Sequence, residues 1–162
     1  MKEVITDASR EQRFERKRIV IAADHGGFEL KKKIIEHLSA QGHEVIDVGA
    51  HSFDAVDSYA DFIKPLVDKV RKDGAVGVFA CRTGNGPAMM ANKFKGIRAA
   101  VCVNAGYAHL ARDHNDANVI CLGCDMMSMK ETKKTVDTFL NTPFSGGRHI
   151  PRIGAFESLG EK

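Results

Sequence analysis

Short apolar runs alternate along the chain with amphipathic segments. In the amphipathic segments apolar residues recur every three or four positions, the spacing of a helix with one buried face. The apolar runs predict strands at 18–23, 43–48, 75–80, within 96–103 and at 117–122, and the amphipathic segments predict helices at 28–40, 59–71, 87–94, 105–112 and 128–140. This alternation predicts an α/β fold, a three-layer α/β/α domain with a five-stranded parallel sheet between the helix layers.

A glycine and two prolines bear on the ends of these helices. Gly42 stands just past the first predicted helix, where a glycine commonly ends a helix. Pro87 is expected at the first position of the third helix, where its missing N–H costs nothing. Pro65 lies inside the predicted helix 59–71, which it would kink or restart.

The length and charge of the chain favour one globular domain. At 162 residues it is long enough to bury a core, and we expect the domain to span 18–162. The highly charged segment 1–17 lacks the apolar core of a signal peptide, and we interpret it as a flexible extension. A net charge of +3 is too small to argue for a nucleic-acid partner. No run of about twenty apolar residues is present, so we predict no membrane span and a cytoplasmic location.

Four cysteines lie in or beside apolar runs, which favours free thiols in a reducing compartment. Cys121 and Cys124 match a C-x-x-C pattern. A zinc site would need two more ligands, and a thioredoxin-like motif should open a helix rather than end a strand. We therefore interpret both as core thiols. The seven histidines do not cluster as ligands, so no metal site is predicted.

The turn after the third predicted strand indicates chemistry most strongly. Cys81 stands at the carboxyl end of that strand, and residues 82–87 (Arg-Thr-Gly-Asn-Gly-Pro) form a glycine-rich turn into a helix. Ligands of open α/β sheets bind at this place, and a helix amino terminus favours thiolate over thiol. We predict that Cys81, with a lowered pKa, acts as a base or nucleophile on an anionic substrate. The turn fails the dinucleotide-binding G-x-G-x-x-G pattern, because Met89 occupies its last position.

A second polar turn follows the first predicted strand. Asp24 and His25 stand there before two glycines, at the mouth of a helix. This arrangement suits a ligand with hydroxyls and a phosphate, and it equally suits an Asp cap beside a surface histidine. If the first and third strands are neighbours at a switch point, the turn lies beside Cys81 and a ligand site is favoured.

Two further patterns occur late in the chain. His114 and Asn115 end the fourth predicted helix, where the histidine either offsets the helix dipole or donates a proton to a sugar oxygen, with Asn115 orienting it. Arg148 and Arg152 are four residues apart, as a phosphate clamp or a solvated pair would be. The segment from Thr142 lies beyond the alternating pattern, so we expect it to pack over the site or reach a neighbouring subunit.

Five motifs in order carry a family resemblance. They are Ala23-Asp24-His25-Gly26-Gly27-Phe28, Cys81-x-Thr83-Gly84-x-Gly86, Ala91-Asn92-Lys93-x-x-Gly96-Ile97-Arg98-Ala99, Arg112-x-His114-Asn115-Asp116-Ala117-Asn118 and Gly147-Arg148-His149-x-x-Arg152. With these motifs the chain resembles the B-type ribose-5-phosphate isomerases, which include galactose-6-phosphate and allose-6-phosphate isomerase relatives. The resemblance runs from Arg18 to about Ile153.

The resemblance implies a Rossmann-like sheet and a homodimer, possibly paired into a tetramer, with active sites at the subunit interface. It implies no metal or organic cofactor. The implied reaction interconverts ribose 5-phosphate and ribulose 5-phosphate through an enediol(ate), a step of the non-oxidative pentose phosphate pathway. Two alternatives stay open: an isomerase of a hexose 6-phosphate, and a sugar-phosphate-binding protein that has lost turnover.

The resemblance also implies roles for the residues after the third strand. Cys81 would be the base that moves a proton between C2 and C1 of the sugar. Thr83 would support it. The backbone of the turn would stabilise the enediolate oxygen, and the residues of that turn are Gly84, Asn85 and Gly86.

The remaining implied roles concern the sugar ring and the phosphate. His114 would help to open the furanose ring. Asp24 and Asn115 would contact hydroxyls of the ring or chain. The residues implied to hold the phosphate are His25, Arg148 and Arg152.

Three positions depart from the family pattern. Arg82 stands where the family usually has glycine, and Asp125 where it usually has an arginine that binds phosphate. We expect Arg82 to lie in the substrate site and to compensate in part for the lost cation. The family's Asp-Tyr-Pro appears as Asp57-Ser58-Tyr59-Ala60, with the tyrosine offset by one residue, which leaves its sugar contact open.

Overall fold

The computed structural model describes residues 15–159. Of the predicted extension, residues 1–14 lie outside this range. Lys17 is joined to the fold, because its backbone N–H donates to His43 Nδ1 at 3.2 Å and its carbonyl accepts from the N–H of Glu44 at 3.0 Å.

Five parallel strands form a single sheet. They are β1 (Arg18–Ala23), β2 (Glu44–Asp47), β3 (Val76–Cys81), β4 (Ala99–Val101) and β5 (Val119–Gly123), in the order β2-β1-β3-β5-β4. The chain moves outward from β1 to β2, then returns past β1 to β3, so β1 and β3 flank a switch point. The predicted five-stranded parallel sheet and the neighbouring first and third strands are confirmed.

Within residues 15–159 six helices occur, of which the first five cover the two faces of the sheet. They are α1 (Phe28–Ala40), α2 (Tyr59–Asp73), α3 (Asn85–Ala91), α4 (Ala105–Asn115), α5 (Met129–Asn141) and α6 (Ile150–Glu157). One apolar cluster packs α1, α4 and α5 on one face, and a second packs α2 and α3 on the other. These layers confirm the three-layer, Rossmann-like α/β/α architecture.

The third helix begins earlier than the sequence predicts. It starts at Asn85, directly after Gly84, whose φ of 84° is in the left-handed region that a glycine adopts without strain. Pro87 is therefore the third residue of the helix and not the first. Its missing N–H still costs no helical hydrogen bond, because N–H groups of the first turn have no partner within a helix. The helix ends at Ala91 rather than Phe94.

Pro65 does not interrupt the second helix. α2 runs unbroken past it to Asp73 and ends at Gly74, which has a φ of 59°. A proline here removes only the hydrogen bond to the carbonyl of Asp61, and Asp61 is exposed, so water can bond to that carbonyl.

A buried lysine joins α1 to the end of β2. The Lys31 side chain is 2 % exposed, and its Nζ donates to both carboxylate oxygens of Asp47 at 2.8 Å and to the carbonyl of Ala50 at 2.5 Å. A buried charge is tolerated only when paired and hydrogen-bonded, so these contacts fix the chain as it leaves β2. No sequence pattern pairs these two residues, although Lys31 stands three residues before Ile34 and seven before Leu38, on the buried face of α1.

We expect Asp47→Asn to lower the free energy of unfolding by about 3 kcal/mol, because Lys31 would keep its buried charge without a counter-ion. Urea unfolding measures the loss. Lys64→Met is the matched control, since Lys64 pairs with Asp68 on the exposed surface of α2 and should cost under about 1 kcal/mol. Equal losses for both variants would contradict a special role for the buried pair.

Candidate active site

The ends of β1 and β3 bring Asp24 and Cys81 together. Cys81 is the last residue of β3 and is 9 % exposed. Its thiol donates to Asp24 Oδ2 at 3.4 Å, while Asp24 Oδ1 accepts from the N–H of Gly27 at 3.1 Å. Asp24 thus caps the short 3-10 turn His25–Gly27 and also faces the thiol. The cap interpretation is therefore confirmed for Asp24, which also lies beside the predicted base, while its contact with a ligand stays a prediction.

The pKa of Cys81 is raised, where the sequence predicts a lowered one. Burial raises the pKa of the thiol above its ordinary 9.0, and Asp24 raises it further. Hydrogen bonds from the backbone at Gly84 and Thr83 lower it, but by less than these two effects. A helix terminus alone would lower this pKa, but desolvation of the thiol and the buried carboxylate of Asp24 act in the opposite direction. Cys81 is therefore mostly a neutral thiol at neutral pH in the isolated chain.

The glycine-rich turn lies directly beside the thiol. Thr83 Oγ1 accepts from the N–H of Asn85 at 3.4 Å, which shapes the turn from within. A Cβ on Gly86 would stand 2.8 Å from the ring of Tyr59, so this ring packs closely on the turn. Tyr59, the offset tyrosine, is the first residue of α2 and therefore still reaches the candidate site.

His25 lies on the 3-10 turn after β1 and is tied to Asp57. Asp57 Oδ1 accepts from the backbone N–H of His25 at 2.8 Å and lies 2.8 Å from its Nδ1. The hydrogen bond to Asp57 is the main reason that the pKa of His25 is raised above 6.5. The family resemblance implies that His25 binds phosphate. No sequence pattern pointed to Asp57 as its partner, since 32 residues separate the two.

The two residues that depart from the family pattern contact each other. Arg82 Nε donates to Asp125 Oδ2 at 3.1 Å, and both side chains are largely exposed. The Arg82 side chain crosses Gly26, because a Cβ there would stand 2.5 Å from Arg82 Cγ. Arg82 is thus held between the ends of β1, β3 and β5, beside the turn that carries His25.

We call the residues gathered at this edge the strand-end cluster. It comprises Asp24, His25, Cys81, Arg82, Thr83, Gly84, Asn85 and Gly86. All eight were predicted as site residues, and β1 and β3 place them at the carboxyl edge of the sheet.

The other predicted site residues form a separate histidine cluster, which we define as His114, Asn115, Arg148, His149 and Arg152. His114 stacks on His149 with ring centroids 4.4 Å apart and an interplanar angle of 15°. Ser145 binds the carbonyl of Asp113 through its N–H at 3.1 Å and its hydroxyl at 2.8 Å, which anchors the C-terminal segment against α4. Burial, and then the nearby cations, lower the pKa of His149.

His149 was not predicted as a site residue, although the sequence placed it between the two arginines. Arg148 lies on the 3-10 turn Gly147–His149 and Arg152 on α6, and both are exposed. The cluster combines two guanidinium groups and two imidazoles, which suits an anionic ligand.

The two clusters lie at opposite edges of the sheet. α4 begins after β4 and carries the chain back to the amino edge, where the N–H of Gly77 donates to the carbonyl of Asn118 at 2.8 Å. β5 then returns to Gly123, which is the neighbour of Cys81 in β3. At about 3.3 Å per residue, β5 separates these edges by about 13 Å. One chain therefore does not bring His114 to Cys81.

A cleft of about 540 Å³ opens near the histidine cluster. Its lining includes Lys93, Phe94, Arg98, Phe156 and one predicted site residue, Asn115. It lies beside the edge strand β4, away from the thiol of Cys81, so it is not the site that the strand-end chemistry defines.

Three general features of the described residues bear on function. The four cysteines are free thiols, as predicted; Cys81, Cys102 and Cys121 are buried, but Cys124 is only half-buried and lies just past β5, so the prediction of a core thiol is wrong for it. Within residues 15–159 no three or more His, Cys, Asp or Glu side chains are grouped as metal ligands. None of the helices between Phe28 and Glu157 combines the length and the apolar character needed to cross a bilayer.

The sequence and the fold of the chain match a known family. A family model described as Ribose/Galactose Isomerase matches residues 19–156. The chain therefore belongs to this family of enzymes, and the resemblance found in its motifs is confirmed.

Relatives within the family carry more particular names. A protein of Mycoplasma genitalium named probable ribose-5-phosphate isomerase B is 47 % identical over 137 residues, which cover 83 % of this chain and 90 % of that protein. Ribose-5-phosphate isomerase B of Mycobacterium leprae is 42 % identical over 138 residues, covering 84 % and 85 %.

Solved structures agree over nearly the whole fold. A ribose 5-phosphate isomerase of Thermotoga maritima matches with a TM-score of 0.86 and 41 % identity, covering 90 % of this chain and 100 % of that one. Ribose-5-phosphate isomerase B of Mycoplasma genitalium with bound ribulose-5-phosphate matches with a TM-score of 0.84 and 45 % identity, covering 87 % and 94 %.

We expect Asp24→Asn to lower the pKa of Cys81, because it removes a carboxylate 3.4 Å from the thiol while keeping an acceptor for Gly27. Alkylation by iodoacetamide across pH, in a Cys124→Ser background, measures this. The rate at fixed pH rises up to about tenfold for each unit by which the pKa falls, because only thiolate reacts. Asp113→Asn, at the opposite edge, is the control. An unchanged profile for Asp24→Asn would contradict the contact.

Proposed function

We propose that this chain interconverts ribose 5-phosphate and ribulose 5-phosphate. The observation that carries the proposal is the contact of the Cys81 thiol with Asp24 beside a glycine-rich turn, at the β1–β3 switch point. An aldose–ketose isomerase needs one base near C1 and C2 and donors for a developing oxyanion, and this place offers both. The Mycoplasma genitalium relative with bound ribulose-5-phosphate supports the choice of substrate.

In this proposal Cys81 is the base. Its thiolate takes the proton from C2 of the open-chain aldose to give an enediolate. The hydroxyl proton passes from O2 to O1, and the Cys81 thiol returns its proton to C1. Backbone N–H groups of the turn Gly84–Gly86 stabilise the enediolate oxygen, and Thr83 supports the turn and the base. Because the pKa of Cys81 is raised, the thiolate is the minor form at neutral pH and a strong base once formed.

We further propose a homodimer whose partner subunit completes each site. The strand-end cluster holds the proposed base, Cys81, and the histidine cluster, at the opposite edge of the sheet, holds the proposed ring-opening acid, His114. Exposed apolar side chains adjoin both clusters: Met89 on α3 is 70 % exposed and Ile150 on α6 is 59 % exposed. Joining two copies would bury them and bring His114 of one copy to Cys81 of the other.

The phosphate in this arrangement meets cations from both copies. His25 and Arg82 come from the strand-end cluster, and Arg148 and Arg152 come from the histidine cluster of the other copy. His114 would open the furanose ring, with Asn115 and Asp24 contacting hydroxyls. Binding of the remote phosphate then fixes the sugar for proton transfer.

The first test is turnover of ribose 5-phosphate by the purified protein with EDTA present, with allose 6-phosphate and galactose 6-phosphate in parallel. Turnover of the pentose supports the proposal, and Cys81→Ser should then abolish it while sugar-phosphate binding persists. Preference for a hexose phosphate would instead indicate a hexose-6-phosphate isomerase. Binding without turnover of any of the three would favour a binding protein.

Complementation tests the shared site. Cys81→Ala and His114→Ala should each be inactive alone, because each lacks one half of every site. Co-refolding equal amounts should restore about one quarter of native activity, since half of the dimers are mixed and each mixed dimer holds one intact site of two. Gel filtration checks the dimer. No recovery in a mixture that does form dimers would contradict a site built from two copies.

Arg82 and Asp125 should affect substrate binding in opposite directions. Arg82→Gly should raise KM for ribose 5-phosphate by up to about fivefold, because an exposed cation near the phosphate contributes about 1 kcal/mol. Asp125→Asn should lower KM, because it releases Arg82 from its ion pair. In an Arg82→Gly background Asp125→Asn should change KM less. An unchanged KM in Arg82→Gly would refute the compensating role.

A further inference from the structure

The segment between β2 and α2 carries a buried carboxylate that the proposed chemistry does not use. The side chain of Asp57 is 7 % exposed, although residues 51–56 before it are all exposed. Burying a carboxylate is costly unless hydrogen bonds or charges compensate it. Both hydrogen bonds that the Asp57 side chain makes go to a single residue, His25.

These two contacts fix the histidine ring. Oδ1 of Asp57 is 2.8 Å from the backbone nitrogen of His25 and 2.8 Å from its Nδ1, so one oxygen holds both the backbone and the ring. A carboxylate at Nδ1 keeps the proton there, which leaves Nε2 as the nitrogen available to a ligand. Oδ2 of Asp57 is buried with no hydrogen-bond partner among the described residues. An uncompensated oxygen of this kind is retained at a cost, which is typical of functional sites.

The charges around the ring favour its cationic form. The hydrogen bond to Asp57 raises the pKa of His25 above 6.5, and the charges of Asp24 and Asp57 raise it further, against a smaller opposing effect of burial. The nearest cation named on the neighbouring elements is Arg82, whose side chain crosses Gly26 and is paired with Asp125.

We propose that Asp57 is a positioning residue for phosphate binding, which orients the His25 ring so that Nε2–H is directed at the substrate phosphate. This inference rests on the proposed function in taking His25 as a phosphate ligand. Asp57 does not touch the substrate. It acts through His25.

The chemistry of phosphate explains why such a residue is useful. A phosphate monoester loses its second proton near pH 6, so the dianion predominates at neutral pH. A histidine with an ordinary pKa near 6.5 is then mostly neutral. Raising the pKa of His25 widens the pH interval in which a cationic imidazole and a dianionic phosphate coexist. Charge-assisted hydrogen bonds between them are stronger than neutral ones.

Asp57→Asn tests the inference, because it keeps the size and the Oδ1 acceptor and removes the charge. NMR titration should show the pKa of His25 falling towards 6.5, its ordinary value. Calorimetry at pH 7.5 should show binding of ribose 5-phosphate weakened about tenfold, with kcat kept within about twofold. Asp54→Asn is the matched control: it is an exposed carboxylate of the same segment that accepts from the N–H of Val56, and it should change neither quantity.

A second comparison separates positioning from general damage to the fold. If Asp57 acts through His25, Asp57→Asn should weaken binding little further in a His25→Gln background. An equal loss in both backgrounds would overturn the inference, as would an unchanged His25 titration in Asp57→Asn. Should that variant not fold, a His25 pKa at or below 6.5 in the native chain would overturn it. A shifted His25 titration and weakened phosphate binding, without isomerase turnover, would instead refute only the proposed reaction.

Discussion

The close contact between the first polar turn and the end of β3 is the constraint on which the site depends. A Cβ on Gly27 would lie 2.1 Å from the carbonyl carbon and oxygen of Ala80 and 2.5 Å from the nitrogen of Cys81. Only a residue without a side chain permits this approach, so the turn rests directly on the β3 backbone. Asp24 is thereby held against Cys81, and the same turn presents His25. A larger residue at 27 would separate the two strand ends that define the site.

The fold was predictable because burial and sequence agree along the strands. Ile19 to Ala23 are wholly buried, and their apolar run is what a parallel strand covered on both faces requires. The strand-end cluster was predictable for the same reason, since parallel strands place their carboxyl ends at one edge. The start of α3 was not predictable, because Gly84 adopts a left-handed conformation that lets the helix begin two residues before Pro87.

Side-chain pairs between distant segments could not be predicted from the sequence. Lys31 and Asp47 are 16 residues apart, and no local pattern indicates that the one pairs with the other. The pKa of Cys81 could not be predicted for the same reason. A helix terminus can be recognised in a sequence, but the desolvation of the thiol and its distance from Asp24 require coordinates. The separation of the two clusters follows from topology, because each helix of a parallel α/β sheet returns the chain to the amino edge.

The pairing of Arg82 with Asp125 bears on how a substrate arrives as well as on how it is held. A lone arginine attracts a phosphate dianion over about a Debye length, roughly 8 Å at physiological ionic strength. A guanidinium 3.1 Å from a carboxylate acts instead as a local dipole, whose field fades faster with distance. The Arg82–Asp125 pair therefore contributes little long-range attraction of its own. The encounter rate of an anionic sugar with this edge of the sheet is correspondingly less sensitive to salt than it would be with an unpaired arginine there.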